Sequence, residues 1–321
     1  MTETCALILL PHLQVHNANA VSGHLSWGFP PPTAFTGFAH ALERRLETVR
    51  LGGIGIVCHR FDPQVYRPPG RYEQVFRLSR HPYIAGWKKF KDEAAALIEE
   101  GRAHLEVSLL IEVLDELDED ERDDLAGRLS DVLGSMRLAG GSLRCGSQLP
   151  EVIEWPEFVE EQRKKFRKLR YRLLPGFTLV EREDLLLEHL NDLRRKQPEA
   201  SPLEVFLDLL ALHVEPEVDE ETGATHWQVR PRSGWLVPLP VGYGALSPLH
   251  GPGEVANTRD PETPFCFVES LYTIGQWLSP HRLTRLHQLL WRPEADEAAG
   301  LYLCRNRYAQ LYEEDFHGEK D

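Results

Sequence analysis

The sequence predicts an α+β fold, because apolar runs typical of strands alternate with two amphipathic helical segments in its first half. The runs that read as strands are 5–15, 54–61, 103–113 and the shorter 137–145. The helical segments between them, 33–46 and 121–136, carry apolar residues at helical spacing. The resulting order, strand–helix–strand–strand–helix–strand, is that of the ferredoxin-like arrangement, which RNA-recognition domains share.

The first strand and the first helix are joined by a polar turn. Residues 5–15, CALILLPHLQV, read as a buried strand, and 16–32 form a turn dense in His, Asn, Gly, Pro and aromatic residues. Three prolines precede Thr33 and suit a helix start. The apolar face of the helix is expected at Ala34, Phe38, Ala41, Leu42 and Leu46.

An irregular insertion at about 62–102 separates the second and third strands, and it contains a hairpin pattern followed by a short helix at 92–100. In the third strand, His104, Glu106 and Ser108 alternate with apolar neighbours. The second helix places Leu125, Leu129, Val132 and Leu133 on one side. We expect these elements to form one domain over 1–155.

The second half is expected to add a basic, helical region at 156–225 and a C-terminal region at 226–321 that packs on the core. The predicted helices are 157–173, 184–195, 202–213, 265–278 and 280–291, the last two being exposed and apolar. Segment 174–183 runs from a turn into a strand, and 215–221 is an acidic loop. Two short strands are expected within 226–249 and a late strand at 301–305.

Composition is typical of a globular protein of the cytoplasm. Hydrophobic residues make up 42% of the 321 residues, which is enough for a sizeable core. No apolar run approaches the ~20 residues that cross a bilayer, and the N-terminal residues lack a secretory pattern. The five cysteines are scattered, which argues against disulfides and a zinc site.

The charge distribution is uneven. The net charge of −14 argues against a simple nucleic-acid binder, but the acid is concentrated at 112–124 and 215–221. Away from these runs, seven of the ten residues in 163–172, RKKFRKLRYR, are basic. An acidic chain with one basic stretch is typical of a subunit in an assembly.

No familiar enzyme or cofactor motif is present. The histidines are dispersed, no HExxH pair occurs, and there is no P-loop or serine nucleophile elbow. Gly52–Gly55 precedes a strand and not a helix, so it is not a dinucleotide fingerprint. The sequence therefore predicts no metal, no cofactor and no catalytic residue.

The first candidate RNA-binding element is the turn that holds Asn17, Asn19, His24 and Trp27. Single-stranded RNA is recognised by stacking on aromatic rings and by hydrogen bonds to base edges, which asparagine both donates and accepts. The alternative interpretation is structural: Trp27 and Phe29 fill the core at a strand–helix joint, and the asparagines cap the turn.

Two further elements are candidates. Arg137 is followed by Gly140, Gly141 and Ser142, and glycine lets backbone N–H groups approach a phosphate, although a Gly-Gly pair is more often a turn. The basic stretch can pair with nucleic-acid phosphates, or it forms a solvated helix face or meets an acidic protein surface. Its candidate contacts are Arg163, Lys164, Lys165, Arg167 and Lys168, with Phe166 and Tyr171 offering stacking.

Several blocks resemble one family and occur in its expected order. They are 17-NANA-20, 27-WGFPPPTAFTGFAHAL-42, 53-GIGIVCHRF-61, 100-EGRAHLEVSLL-110, 136-MRLAGGS-142, 172-RLLPGF-177, 235-WLVPLPVGYGALSPL-249 and 277-WLSPHR-282. They look like the second subunit of the Csy surveillance complex (a Cascade) of type I-F CRISPR systems, a Cas-five-like RAMP protein. The resemblance fades at 81–95, 146–165 and 214–226.

The resemblance implies an RRM-like RAMP core and a role in antiviral defence. Family members pair with the large Csy subunit as a heterodimer, hold the 5′ handle of the guide RNA (the crRNA), and lie near an adjacent backbone subunit and the target DNA. The glycine pair follows the second helix, as the glycine-rich loop of RAMP proteins does. RNA contact at 137–142 is therefore favoured, and leucine at Gly140 or Gly141 should weaken guide binding while the fold survives.

Two alternatives to a non-catalytic, RNA-binding subunit remain. Some Cas-five relatives cut their own guide precursor, and a RAMP endoribonuclease here would use His16, His24 or His40 with a neighbouring cation. The other alternative is a scaffold that contacts only protein. The type I-F resemblance argues against the nuclease, because another subunit processes the guide in these systems.

Overall fold

The computed structural model describes residues 3–71, 73–80, 97–218, 223–230 and 234–312. The chain divides into two compact units, Met1–Glu157 and Phe158–Asp321, each with an antiparallel sheet and helices. The α+β class is therefore confirmed. Across the described ranges, no helix combines the length and the apolar character that crossing a membrane requires.

The first unit contains ten strands and two helices among its described residues. They are β1 (Ala6–Asn19), α1 (Pro32–Leu46), β2 (Leu51–Pro63), β3 (Val65–Tyr66), β4 (Val75–Phe76), β5 (Leu78–Arg80), β6 (Leu97–Glu99), β7 (Arg102–Val113), α2 (Glu119–Leu133), β8 (Arg137–Leu138), β9 (Gly141–Arg144) and β10 (Glu151–Glu154). Its antiparallel sheet has the order β2-β7-β1-β9-β8, and β10 pairs with the beginning of β1.

The core of the first unit lies around β1, β7 and α1. Residues 6–10 of β1 are all buried, which matches the apolar run in the sequence. α1 begins with Pro32 in its first turn and buries Phe35, Phe38, Leu42 and Leu46. Full burial of each such side chain contributes roughly 1.5–3 kcal/mol. The buried face of α1 therefore includes Phe35, which was not predicted, because its long side chain reaches the core. Ala34 and Ala41, which were predicted, are only half-buried.

The insertion differs from its prediction. β3 pairs with β4, and β5 pairs with β6, as two separate two-stranded ladders. The predicted helix at 92–100 is wrong over Leu97–Glu99, which form β6, since pairing with β5 overrides helical propensity there. Residues 92–96 lie outside the described residues.

Besides a short helical stretch at 308–312, the second unit contains seven strands, three helices and two 3-10 turns among its described residues. They are α3 (Val159–Arg172), β11 (Phe177–Glu181), α4 (Glu183–Lys196), α5 (Pro202–Leu210), β12 (Val214–Val218), β13 (Thr225–Val229), β14 (Trp235–Ala245), β15 (Val268–Leu278), the turns Pro280–Arg282 and Leu286–Gln288, β16 (Leu290–Asp296) and β17 (Leu301–Asn306). Its sheet has the order β11-β15-β14-β17-β16, and β12 pairs with β13 in a separate hairpin.

The two predicted C-terminal helices are wrong. Segment 268–278 is β15, which pairs with β14 from Val268 to Trp277, and 280–291 forms 3-10 turns that lead into β16. Several apolar residues expected on exposed helices are buried instead, while Phe267 and Val268 are exposed; the buried ones are Ile274, Leu278, Leu283, Leu286, Leu289, Leu290 and Trp291. Strand partners elsewhere in the sequence therefore determine the secondary structure of this segment, and its own residue pattern does not.

The acidic segment also departs from its prediction. Residues 215–218 belong to β12 and not to a loop, because they pair with β13. Residues 219–221 lie outside the described residues, as do 231–233 between the strands found within 226–249.

A buried carboxylate lies at the end of β11. Glu181 accepts the backbone N–H of Asn306 at 3.0 Å, and its other oxygen lies 3.1 Å from an Arg305 guanidinium nitrogen. Burial, the largest influence, raises the pKa of Glu181 to about 7 despite these two favourable partners. The folded unit therefore binds a proton that the unfolded chain releases nearer its ordinary value of 4.5.

This proton makes stability depend on pH. The contribution of Glu181 is fully present below about pH 4.5 and is lost as the pH rises through about 7. As the pH rises from about 5 to about 8, the unmodified protein loses the stability that the Glu181 proton contributes, and Glu181→Gln does not. We therefore expect the difference between their free energies of unfolding to change by about 2 kcal/mol in favour of the variant. Urea unfolding at both pH values measures this. Glu183→Gln, which changes a half-buried carboxylate on the same arginine, should show no such trend, and equal trends would contradict the assignment.

Candidate nucleic-acid interface

One face of the sheet in the first unit carries a row of polar side chains. Strand alternation puts Gln14 on the face opposite buried Leu13 and Val15. Gln14 lies opposite Arg144 of β9 on one side and Glu106 of β7 on the other. Glu106 in turn lies opposite Arg60 of β2. Arg144–Gln14–Glu106–Arg60 therefore form a row across four strands, which we call the polar row.

Hydrogen bonds hold one side of this row rigidly. His12 Nδ1 lies 2.8 Å from Glu106 Oε1, and its ring stacks on His59 with centroids 4.2 Å apart. His59 Nε2 lies 2.7 Å from the buried hydroxyl of Ser108. The hydrogen bond from His12 is the largest influence that lowers the pKa of Glu106 below its ordinary value. The carboxylate is therefore ionised and fixed in place.

A second, more exposed cluster lies at the end of β1. The ring of His16 meets that of His104 edge-on at 5.2 Å. Asn17 Oδ1 accepts from Gln64 Nε2 at 2.6 Å, and the same nitrogen lies 3.2 Å from His104 Nε2. A β-bulge between Val15 and Ala18 breaks the register here, which turns these side chains outward.

The predicted turn is shorter than expected, because β1 continues to Asn19. The amide of Asn19 is engaged by both backbone groups of Val21, at 2.8 and 3.2 Å, so Asn19 caps the turn. His24 is exposed. Trp27 is 46% exposed and packs one edge against Phe76, whereas Phe29 stacks on buried Phe35. Trp27 therefore has a free surface for stacking, while the core interpretation holds for Phe29.

The glycine element is a β-hairpin turn between β8 and β9. Ala139 and Gly140 have φ of 49° and 75°, the paired positive values of a type I′ turn. Gly141 is buried, and a Cβ there would lie 2.8 Å from the carbonyl oxygen of His16 and 2.9 Å from the nitrogen of Ala18. The side chain is absent because β9 approaches β1 closely. Leucine at position 141 would disrupt the sheet, so the expectation that the fold survives this change is wrong.

The structure brings the first two candidate elements together. Asn19 N–H donates to the carbonyl of Ala139 at 2.8 Å, which ties the hairpin turn to the end of β1. In the register, Ser142 lies opposite both Arg137 and His16. Arg137, Ser142 and Arg144 are exposed. The side chains at 16, 137, 142 and 144 thus continue the polar row along one sheet edge.

The basic stretch lies on α3, in the second unit. Phe166 and Leu169 are 1% and 4% exposed, so the predicted stacking role of Phe166 is wrong, because this side chain fills the core. Tyr171 is exposed, with the Arg170 guanidinium 5.6 Å from its ring centre. Of the five candidate cations, Lys165 is half-buried and the other four are exposed: Arg163, Lys164, Arg167 and Lys168.

Several residues of the interface were missed by sequence reasoning. They are His12, Gln14, His59, Arg60, His104, Glu106 and Arg144. The alternation of His104, Glu106 and Ser108 is visible in the sequence, but by itself it predicts only a strand and not the partners of these side chains. Within the described ranges, no three or more His, Cys, Asp and Glu side chains have an arrangement that holds a metal ion.

Two comparisons with known proteins establish the family. The family model for CRISPR-associated protein (Cas_Csy2) matches residues 8–304. A curated relative from Pseudomonas aeruginosa (strain UCBPP-PA14), CRISPR-associated protein Csy2, is 48% identical over 317 residues, or 94% of this chain and 95% of that protein. The chain belongs to the Csy2 family. This confirms, at the level of the family, the resemblance seen in the sequence, that of a Csy subunit of a type I-F CRISPR system.

The Csy2 family match extends over both units, since residues 8–304 include nearly all of each. The polar row, the glycine hairpin and α3 all lie within the matched range. None of them is an addition outside the family.

The two glycines of the Csy2-family hairpin should differ in their effect on stability. Gly141→Ala should lower the free energy of unfolding by about 2–3 kcal/mol, since backbone atoms of β1 block the new Cβ. Gly140→Ala meets no atom within 4 Å and costs about 1 kcal/mol for its positive φ. Urea unfolding of both variants compares them. An equal or larger loss in Gly140→Ala would show that close approach is not the reason for Gly141.

Proposed function

We propose that this chain is the non-catalytic subunit of a type I-F Csy surveillance complex that binds the 5′ handle of the guide RNA. Family membership supports the role of a Csy subunit. The observation that favours RNA binding is the polar row, with its exposed arginines at both ends and the histidine–asparagine cluster beside it.

We also propose that the first unit is an RRM-like RAMP core. With the insertion set aside, its strands in chain order are β1, β2, β7 and β9, with α1 and α2 as the two connecting helices. The sheet order β2-β7-β1-β9 is then second, third, first, fourth, with every pair antiparallel. A split βαβ arrangement gives this order, and RNA-recognition domains bind single strands on the sheet face.

The side chains on this face offer each kind of contact that a single strand needs. Arg60, Arg137 and Arg144 supply cations for phosphates. Asn17 lies at hydrogen-bonding positions for base edges, beside the rings of His16 and His104. One oxygen of the Glu106 carboxylate is already hydrogen-bonded to His12 inside the row.

The net charge of −14 does not conflict with this site, because phosphates respond to nearby charge more than to charge beyond about 10 Å. The acidic residues at 119–124 lie at the beginning of α2, and those at 215–217 lie on β12 in the second unit. Neither segment contributes to the polar row.

We propose that the chain is not an endoribonuclease. His16 lies on β1, His24 in the turn that follows and His40 on α1. Among the described residues, the ring contact of His16 is with His104, and it joins neither of the other two candidates. A metal-independent nuclease needs a base and an acid on the same phosphate.

The other proposed contacts follow from the same role. A large Csy subunit would pair with this chain, an adjacent backbone subunit would lie beside it, and target DNA would pass nearby. We propose that the exposed cations of α3 contact phosphates of the guide or of the target DNA.

The polar row can be tested by comparing two double variants that each remove two arginines, one pair at the row and one pair away from it. We expect Arg137→Ala with Arg144→Ala to weaken handle binding in the assembled complex by about tenfold per lost contact. Arg44→Ala with Arg45→Ala, on exposed residues of α1, is the control and should bind normally. Filter binding of labelled handle RNA measures the affinity. Equal affinities for both pairs would contradict RNA binding by this face.

The same RNA should remain uncut by the unmodified protein during a long incubation without metal. A product with a defined end would instead favour the endoribonuclease.

The cations of α3 give a separate prediction. Lys164→Ala, Arg167→Ala and Lys168→Ala together should leave folding intact, since exposed charges contribute little to stability. If these residues follow a single-stranded backbone, the slope of log affinity against log salt should shrink by about 0.7 per lost contact. The control is Arg194→Ala, Arg195→Ala and Lys196→Ala, three exposed cations at the end of α4.

Guide retention and capture of duplex DNA are measured separately for the α3 variant, and the affected step identifies the ligand. Unchanged slopes in both would mean that α3 is a solvated face or contacts an acidic protein surface.

A further inference from the structure

Glu106 is the acidic member of the polar row, and in the register it lies between Gln14 of β1 and Arg60 of β2. Its side chain is 27% exposed, so the carboxylate reaches the surface of the sheet. An anion at this position repels the phosphates that the arginines of the row attract. The carboxylate therefore weakens a site for nucleic acid unless it makes a favourable contact of its own with the ligand.

The structure holds this carboxylate in place without pairing it to an arginine. In the described part of the chain, the Arg60 guanidinium pairs with Asp62 at 3.3 Å and not with Glu106. His12 Nδ1 lies 2.8 Å from Glu106 Oε1. The hydrogen bond from His12 is the largest influence that lowers the pKa of Glu106, and one from Gln14 lowers this pKa further. Since an ionised carboxylate can only accept, His12 Nδ1 carries the hydrogen and donates it.

Two irregularities in the strands place the side chains that orient Glu106. The register of β1 shifts at residues 11–12 and that of β2 shifts at residue 59, in each case beside β7. The rings of His12 and His59 stack there, and both residues bond to Ser108 Oγ, through the His12 N–H at 3.0 Å and through His59 Nε2 at 2.7 Å. His12 has a φ of 48°, a strained backbone conformation that clusters at functional sites. The local backbone is therefore shaped to keep the carboxylate in one orientation.

The two hydrogen bonds leave part of the carboxylate available to a ligand. An ionised carboxylate has about four lone-pair positions, and His12 and Gln14 occupy two of them. The other positions accept only from a donor, and the neutral donors of an RNA strand are the N–H groups of its bases and the 2′-hydroxyl of its ribose. A basic side chain of a protein also donates, but the arginines of this face, Arg60, Arg137 and Arg144, repel it.

We propose that Glu106 is a specificity-determining residue of the guide-binding face, and that its carboxylate accepts a hydrogen bond from a base N–H group or a ribose 2′-hydroxyl of the guide. The inference rests on the proposed function, because it takes the guide as the ligand of the polar row. It goes further by separating selection from attraction. The arginines attract any phosphate strand, whereas Glu106 rejects a nucleotide that lacks the donor, because the carboxylate then loses its bond.

The test removes donors from the guide one at a time. The complex is reconstituted from purified Csy subunits and synthetic guides, and filter binding measures the affinity for each guide. One set of guides carries a single 2′-deoxynucleotide at each handle position in turn. A second set carries one base analogue that lacks a donor: inosine for guanosine, purine for adenosine, pyrimidin-2-one for cytidine or N3-methyluridine for uridine.

Both sets of guides are measured with the unmodified chain and with three variants. Glu106→Gln removes the charge but keeps an oxygen that can accept from His12, and Glu106→Asp keeps the charge but withdraws the carboxylate by one methylene. The control is Asp115→Asn, which removes one negative charge two residues beyond the end of β7. The Asp115 side chain is 29% exposed and is hydrogen-bonded to Arg50, so its setting resembles that of Glu106.

We expect one position of the handle at which loss of a single donor weakens binding by the unmodified chain about tenfold, since hydrogen bonds to a charged group are among the stronger ones. Glu106→Gln and Glu106→Asp should bind that altered guide and the natural guide nearly equally, and Asp115→Asn should keep the tenfold difference. This coupling between one residue and one donor is a readout that a purely structural role of Glu106 does not move. A loss in the first set identifies the ribose hydroxyl as the donor, and a loss in the second set identifies the base.

A scan of the unmodified chain in which no position is sensitive would overturn the inference, and this result needs no substitution in the protein. A sensitive position that stays equally sensitive in both Glu106 variants would also overturn it, because another residue then supplies the acceptor. Loss of a protein subunit from the Glu106→Gln complex, without a change in guide sensitivity, would make a protein the ligand of the carboxylate. In each case the guide-binding proposal stands if Arg137→Ala with Arg144→Ala still weakens binding. If that pair binds like its control, the proposed function fails and this inference fails with it.

Discussion

The pairing of β1 along both of its edges is the constraint on which the first unit depends. β7 pairs with one edge, while β10 and β9 share the other edge at successive positions. The initial residues 6–10 are buried on both sides, so they hold the strand in the core. Beyond the register break at His12, the same strand presents polar side chains on one face. One continuous strand therefore anchors the fold and contributes to the polar row.

The two register breaks in β1 explain why the interface is compact. A bulge adds a residue to one strand, twists it and redirects the side chains that follow. Here the breaks fall at Leu10–Leu13 and Val15–Ala18, on either side of Gln14. The close approach of Gly141 then brings β9 and its hairpin turn against the second break. Four strands thus contribute side chains to one small surface.

Charge is separated within this chain in a way that suits an assembly subunit. Basic side chains lie on the sheet face of the first unit and on α3, while acidic residues lie on α2 and on the β12–β13 hairpin. Each surface attracts a partner of one kind and repels the other kind.

Sequence pattern alone was sufficient for elements whose signals were local. The prolines before Thr33 and the spacing of Phe38, Leu42 and Leu46 predicted α1, and the alternation around Glu106 predicted β7. The family was also determined by the sequence, because its motifs are contiguous blocks. The segment 265–291 was misjudged because short apolar runs fit a helix and a buried strand equally well, and only pairing with β14 distinguishes them.

Only the tertiary structure determined which residues are in contact. His12 and Glu106 are 94 positions apart, and nothing near either residue indicates the other. The tertiary structure also showed that Phe166 fills the core, that Gly141 makes room for β1 and that the residues of β12 and β13 are exposed. Residue type and periodicity are local properties and determine element type and family. Strand register and burial depend on partners distant in the chain, so they determine the interface only once the chain is folded.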